Sequence, residues 1–233
     1  MTTKEFSDEF DALLNSFAVA KPFGYSQNAN GLDEYEKSIL LTKAQEEVVK
    51  GVYTGRLTGD GFEGTEEQRR SIDNLVKTAE PEIVIGVTEK MSDNSKFYQL
   101  PKDVWFITYE TALLSDDSLG CKNNTRADVI PIRQDEYNTI KGNPFRGASD
   151  KRVLRIDTGS SVIELISKYN IQTYFIKYLS KPKPIILEDI TNDDLSIDGE
   201  TQRMDCALNS VLHRPILERA VALAISRQPS SSK

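Results

Sequence analysis

The chain is short of the residues on which much protein chemistry depends. Of its 233 residues, two are cysteine and one is histidine. Cys121 and Cys206 stand far apart, outside any CxxC or ligand-spaced cluster, so neither a disulfide framework nor a zinc site is expected. Any Ser–His–Asp or Cys–His mechanism would have to be built around His213. Its neighbours Leu212, Arg214 and Pro215 place that residue near the opening turn of a helix, where a structural or capping role suffices. Long apolar runs are missing too, and the start MTTKEFSDEFDALL is acidic and helical in pattern, so neither membrane insertion nor secretion is expected. Basic charge is in deficit. Asp and Glu number 36 against 29 Lys and Arg, a formal charge of -7, which disfavours broad sequence-independent binding of nucleic acid.

What is present suits a folded protein. Hydrophobic residues make up 38% and charged residues 28%, which argues against wholesale disorder and allows one substantial core. No repeat or sharp composition shift marks a linker, so residues 1–233 are expected to form one structural domain. Phe6, Phe10, Leu13, Leu14 and Phe17 recur at spacings of three and four, along one side of a helix. Pro22, Gly24 and Gly31 break the pattern after it, which makes residues 1–31 a candidate arm that packs on a neighbour through Phe6 and Phe10.

A second helix is predicted from Asp33 to Tyr53, with Ile39, Leu40, Ala44, Val48 and Val52 on its apolar face. TGRLTGDGFEG then reads as a loop. Thr65 can cap a third helix with Gln68 as its reciprocal partner, and Ile72, Leu75 and Val76 carry its apolar face as far as Pro81. From residue 82 the period falls to two. EIVIGVT, KFYQL, VWFITYET, ADVIPIR, RVLRID, VIELIS, IQTYFIKYL and PIILED read as strands, the third of them bulky on both faces. Gln134 to Lys141 reads as a short helix between strands. A closing helix carries Leu212, Ile216, Ala220, Val221 and Ala224, capped by Asn209 or Ser210 or opened by Pro215. Residues 228–233 read as a flexible tail. The fold class is α+β: N-terminal helices, a strand-rich middle and a closing C-terminal helix.

Each chemical motif lacks a partner. Asp157-Thr158-Gly159 resembles the catalytic turn of aspartic proteases, whose chemistry needs two carboxylates sharing a proton. With one such turn, a site would require a dimer pairing two copies of Asp157; the plainer reading is a hairpin with Asp157 and Gly159 making the turn. Gly55 to Gly61 and Gly142 to Gly147 are glycine-spaced like phosphate loops, but neither supplies the lysine that would reach the phosphates. Asp194, Ser196, Asp198, Gly199 and Asp205 follow EF-hand spacing without the closing glutamate, and a surface loop explains them. No catalytic, metal-binding or cofactor-binding residue is assigned. Asn143-Pro144-Phe145-Arg146 is different in kind: a turn with a large aromatic beside an arginine, residue types that commonly anchor interfaces. Phe145 could equally plug the chain's own core.

Longer phrases carry a resemblance. FSDEFDALLNSFA, LDEYEKSILLTKAQEEVV, FYQLPKDVWFITYE, DEYNTIKGNPFRGASDKRVLRID, YFIKYLSKPKPIIL and LHRPILERAVALA, in this order, resemble structural ring proteins from the neck of crAss-like tailed bacteriophages. The likeness covers nearly the whole chain. It implies a virion subunit at the head–tail junction, made in the bacterial host cytoplasm. It further implies dodecameric rings that touch the portal protein and adjacent neck or tail rings, surround passing double-stranded DNA without reading it, and use no membrane, cofactor or catalytic residue. The strand, NPFRG turn and closing helix also resemble portal adaptors of other short-tailed phages. The alternatives are a non-ring tail structural protein and the dimeric aspartic protease. An acidic balance is compatible with a DNA conduit, since a negative lumen would not hold the duplex.

Overall fold

The computed structural model describes residues 1–19, 32–55, 66–191 and 195–227. Most of the predicted break before Gly31, the glycine-rich stretch from Arg56, the Thr65 cap, Asp194 of the calcium-like series and the tail 228–233 lie outside the described residues. In chain order the helices are α1 (Thr3–Val19), α2 (Glu34–Thr54), α3 (Glu66–Ser71), α4 (Tyr137–Ile140) and α5 (His213–Arg227). The strands are β1 (Val76–Ala79), β2 (Glu82–Val84), β3 (Ser95–Gln99), β4 (Val104–Leu114), β5 (Thr125–Pro131), β6 (Arg152–Gly159), β7 (Val162–Ile166) and β8 (Ile171–Ser180). The class is the α+β one that the change of period predicts. Two compact units form, Met1–Leu75 with Pro182–Lys233, and Val76–Lys181.

The first unit is helical. Asp33 caps α2 through its Oδ1, which accepts from the Glu34 amide at 2.8 Å, and Glu36 reaches back to accept from the Asp33 amide at 3.3 Å. This reciprocal pair satisfies donors that a helix start leaves orphaned. Gly55 ends the helix at φ +72°, a left-handed conformation that glycine adopts without steric cost. Between these caps Leu40, Leu41, Ala44, Val48 and Val49 are buried, and α2 packs on α5, whose Ile216, Leu217, Ala220 and Val221 are buried in turn. α1 also packs on α5 and buries Phe6 and Phe10 completely. The Phe6 ring lies 5.3 Å from the imidazole of His213.

Lys37 fastens α2 to α1. Its ammonium is 2.7 Å from Asp11 and 2.9 Å from Glu34, and it donates to the Ser7 hydroxyl at 3.1 Å. Burial alone would lower its pKa, yet the two carboxylates outweigh that and hold it above the usual lysine value.

PIILED is not a sheet strand. Its segment takes backbone partners from a polar row on α2, one residue every three or four positions. Ser38 Oγ accepts from the Leu187 amide at 3.0 Å, and Gln45 Nε2 donates to the Lys183 carbonyl at 2.7 Å. Thr42 accepts from the Ile185 amide at 3.1 Å and donates to its carbonyl at 3.3 Å. Side chains of a helix thus do the work of a neighbouring strand, and a bridge from Ile186 to Met204 completes the pairing.

The third helix is shorter than predicted. α3 stops at Ser71, a 3-10 turn covers Asp73–Leu75, and Val76–Ala79 becomes β1. The edge of β8 offers four backbone pairings, from Val76 with Leu179 to Ala79 with Ile176, and the β-branched Val76 and Thr78 favour them over a weak helical pattern.

The second unit is an eight-stranded sheet in the order β1-β8-β4-β5-β6-β7-β3-β2. Its two edge strands are joined through Glu80 and Pro81 alone, a reach of roughly 10 Å from Ala79 to Glu82, so the sheet must curl to bring its ends together. One apolar cluster collects Tyr98, Leu114, Val153, Leu165, Tyr174 and Ile176. A smaller one seats Tyr137 and Ile140 of α4 on Leu154, Ile156 and Ile166. β4 was expected to be covered on both faces. Register shifts at Val104/Phe106 and Ile107/Tyr109 break its alternation, leaving residues 104–108 half-buried and Tyr109 exposed.

All neighbouring strands are antiparallel except β5 and β6. A parallel pair needs a crossover, and here it is a 3-10 turn at Gln134–Glu136, α4, and the Asn143-Pro144-Phe145-Arg146 turn.

Candidate functional site

The crossover between β5 and β6 fixes the most built feature of the surface. Tyr137 and Ile140 anchor α4, and the Ile140 carbonyl accepts from the Asn143 amide at 2.9 Å. Asn143 then organises everything after it. Its side-chain Oδ1 accepts from the Phe145 amide at 2.9 Å and from the Arg146 amide at 3.2 Å. Its backbone carbonyl accepts from Gly147 at 2.7 Å and from Arg146 at 3.3 Å. Pro144 between them has a fixed φ and no amide to satisfy. The Phe145 carbonyl accepts from Arg152 Nη1, at the start of β6.

Gly147 is required by space. A Cβ there would lie 2.8 Å from the Asn143 carbonyl oxygen and 3.3 Å from that of Ile140. The amides of Phe145, Arg146 and Gly147 are bonded inward, while the Phe145 and Arg146 side chains are exposed. Phe145 is 84% exposed. Arg146 is exposed beside it and holds no ion pair among the described residues. The same bonding answers the phosphate-loop resemblance: the amides of Phe145, Arg146 and Gly147 already have acceptors and are not turned to an anion.

The other sequence candidates lie elsewhere. Phe6 and Phe10 are wholly buried within the chain and are not exposed to a neighbour. Asn143, Pro144, Phe145 and Arg146 are brought together, with Phe145 outside the core and not plugging it. His213 is buried, its Nε2 paired with the Leu208 carbonyl at 3.0 Å and its Nδ1 with the Met1 amine at 2.8 Å. With Nε2 as donor, Nδ1 is the acceptor. Burial lowers its pKa, the Leu208 carbonyl opposes this, and the amino terminus lowers it further. Burial also raises the Cys206 thiol, which disfavours a reactive thiolate. Among the described residues no group of three or more His, Cys, Asp or Glu could hold a metal ion. No helix among them is long and apolar enough to cross a membrane.

Asp157 is part of a charged chain on the sheet. Arg155 donates through Nη1 to Glu110, Tyr174 donates to the other Glu110 oxygen at 2.6 Å, and Arg155 Nε lies 3.2 Å from Asp157. Burial would lower the Arg155 pKa, but Glu110 and Asp157 more than reverse it; burial and the Glu110 carboxylate push Tyr174 upward. Arg155 therefore stays charged and Tyr174 keeps its proton at neutral pH. The hairpin after Asp157 is real, though its turn is formed by Ser160 and Ser161 at φ +52° and +60°, behind Gly159 at +98°, while Asp157 pairs with Ile163 inside the ladder. Two successive positive φ values match the twist of a two-residue hairpin.

Two exposed features escaped the sequence reading. Ile83 and Ile85, the latter 93% exposed, stand on and beyond edge strand β2. The alternation in EIVIGVT gave the strand without saying that it lies at an edge. In the helical unit, Val211 is 60% exposed and lines a cavity of about 330 Å³ with Glu66, Glu67, Arg70, Ser71 and Asn209. No local signal marks it, because its walls are more than 130 positions apart in the chain.

The fold defines an α+β protein that carries an exposed, internally bonded turn. All of residues 1–233 match the family described as phage tail ring protein 3/4, and the chain belongs to that family. It is 50% identical over 227 residues to Ring protein 3 of Bacteroides phage crAss001, covering 97% of this chain and 95% of the relative. It is 33% identical over 234 residues to Ring protein 4/5 of the same phage, covering 96% and 92%.

Proposed function

We propose that this chain is a structural subunit that closes into a ring, of twelve copies, in the neck of a crAss-like tailed phage. The ring joins the portal vertex to the tail and lines the passage through which double-stranded DNA leaves the head. Its partners are other copies of itself, the portal protein and adjacent neck or tail rings, and it is made in the bacterial host cytoplasm. The observation that carries this reading is the full-length similarity at 50% identity to a protein named Ring protein 3. One phage supplies both named relatives, which supports several ring layers of related subunits stacked in one virion. The -7 formal charge suits a conduit that does not hold the duplex. Within one chain the Asp157 carboxylate lies beside the Arg155 guanidinium, and the protease alternative would need the Asp157 of a second copy brought to it.

Imaging of purified virions, with mass spectrometry of their proteins, tests the proposal. A closed ring of this chain between portal and tail is the expected result. Absence from virions, or a place in a tail part without ring symmetry, overturns it.

A further inference from the structure

A closed ring imposes a condition on its subunit. Each copy must present two different patches, one to each neighbour, because a head-to-tail contact repeats around the circle. This chain carries a projection and a recess whose chemistries match. The projection is the Asn143-centred turn, with Phe145 84% exposed and the exposed cation of Arg146 next to it. The recess is the cavity of about 330 Å³, large enough for one phenyl ring, with exposed Val211 in its wall. Arg70 in the same wall is neutralised by Glu66 at 2.5 Å. Glu67 at the rim holds no ion pair among the described residues. Among the described residues the projection thus has a cation without an ion pair beside an uncovered aromatic, and the recess a carboxylate without one beside an uncovered aliphatic.

We infer that Phe145 of one copy inserts into the Val211–Arg70 cavity of the next copy, with Arg146 paired to Glu67 across the contact. This rests on the ring reading above and adds the contact that would close the ring. Phe145 would lie against Val211 on one side and under the Arg70 guanidinium on the other, an arrangement favourable to an aromatic face. A fixed turn loses little freedom on docking, so the insertion would keep most of its gain. A second copy is the occupant because both halves of the match are on the same chain and are distinct patches, as a head-to-tail contact requires.

The test is assembly of the full-length chain, followed by mass photometry and negative-stain imaging, alone and with purified portal protein. Phe145→Ala, Arg146→Glu and Glu67→Arg should each raise the concentration needed for ring formation about tenfold or more, as truncating an interface anchor does. The double variant Arg146→Glu with Glu67→Arg should recover much of the loss, since it restores the pair with its sign reversed. Unchanged circular dichroism and melting of each variant separate lost contact from lost fold. Normal rings from Phe145→Ala, or a double variant no better than the singles, overturn the inference and leave the ring reading standing. So do rings that form normally but no longer bind the portal protein, which would assign the turn to the layer above. A wild-type chain that forms no ring under either condition overturns the ring reading and this contact together.

Discussion

Phe10 and Phe145 carry the same side chain in two regions that treat it in opposite ways. Phe10 sits on α1 with no exposure, in a unit where α1 packs on α5. Phe145 sits on a turn whose backbone is bonded on every side and is 84% exposed. In the first region the side chain supplies the order, and the backbone follows it. In the second the backbone is ordered by Asn143, Gly147 and Arg152, and the side chain is left over for something else. Burying a phenyl ring gives about 1.5–3 kcal/mol, which Phe145 forgoes within its own chain. A rigid support under an uncovered aromatic is what a preorganised contact needs.

The largest expected effect comes from removing the buried member. Phe10→Ala should cost about 3–5 kcal/mol of folding stability, through lost burial and the cavity left between α1 and α5. Urea unfolding of the variant and the wild type measures it. A loss below about 1 kcal/mol would mean that α1 is not held by this ring and that the contrast with Phe145 is false.

Next is the support of the exposed member. Gly147→Ala places a methyl group 2.8 Å from the Asn143 carbonyl oxygen, a backbone atom that can move only if the turn opens. A cost of about 1–3 kcal/mol is expected, as for other insertions into filled space. Thermal melting gives the stability, and hydrogen exchange at the Phe145 and Gly147 amides shows whether the turn has loosened. Alanine accepted with no change in either would mean that the turn is not rigid.

How far these two regions could be read from sequence differs for a physical reason. The α1 stripe was legible because helical periodicity reports which residues share a face. It does not report whose surface covers that face, and α1 packs on α5, about 200 positions away in the chain. The turn was legible through Asn143, Pro144 and Gly147, whose conformational roles are local. Whether Phe145 points in or out depended on how α4 seats on β6 and β7, a long-range matter. β1 and the Ile185–Leu187 segment failed for one shared cause. Each took its backbone partners from a distant element, β8 in one case and the polar row of α2 in the other. The recess at Val211 joins α3 to the start of α5 and could not be seen before folding.

A smaller effect sharpens the buried side. His213 lies under Phe6 and has a depressed pKa in the folded chain, first because it is buried. The unfolded chain binds the proton more readily, so this group's contribution is complete above its unfolded pKa of about 6.5 and is lost as pH falls from there toward the folded value. Protonation would also remove the Nδ1 lone pair that accepts from the Met1 amine. Urea unfolding at pH 7.5 and pH 5.5 should show a loss on acidification that is reduced in His213→Gln. An equal loss in both proteins would assign the acid sensitivity to other groups.

The smallest expected effect is the one that completes the contrast. Phe145→Ala removes a ring that touches almost nothing in its own chain, so the folded state loses no core and gains no cavity. The four hydrogen bonds that the amides of Phe145, Arg146 and Gly147 donate to Asn143, and the Arg152 bond to the Phe145 carbonyl, involve backbone atoms of residue 145 and its neighbours, and all survive the substitution. Stability should stay within about 0.5 kcal/mol of wild type by urea unfolding, the range of surface changes that touch no special feature. A loss above about 1.5 kcal/mol would show the ring folded back onto its own chain. Near-zero cost to folding, set against a large cost to assembly, is the signature that separates a contact residue from a core residue, and Phe10→Ala run in parallel gives the opposite order.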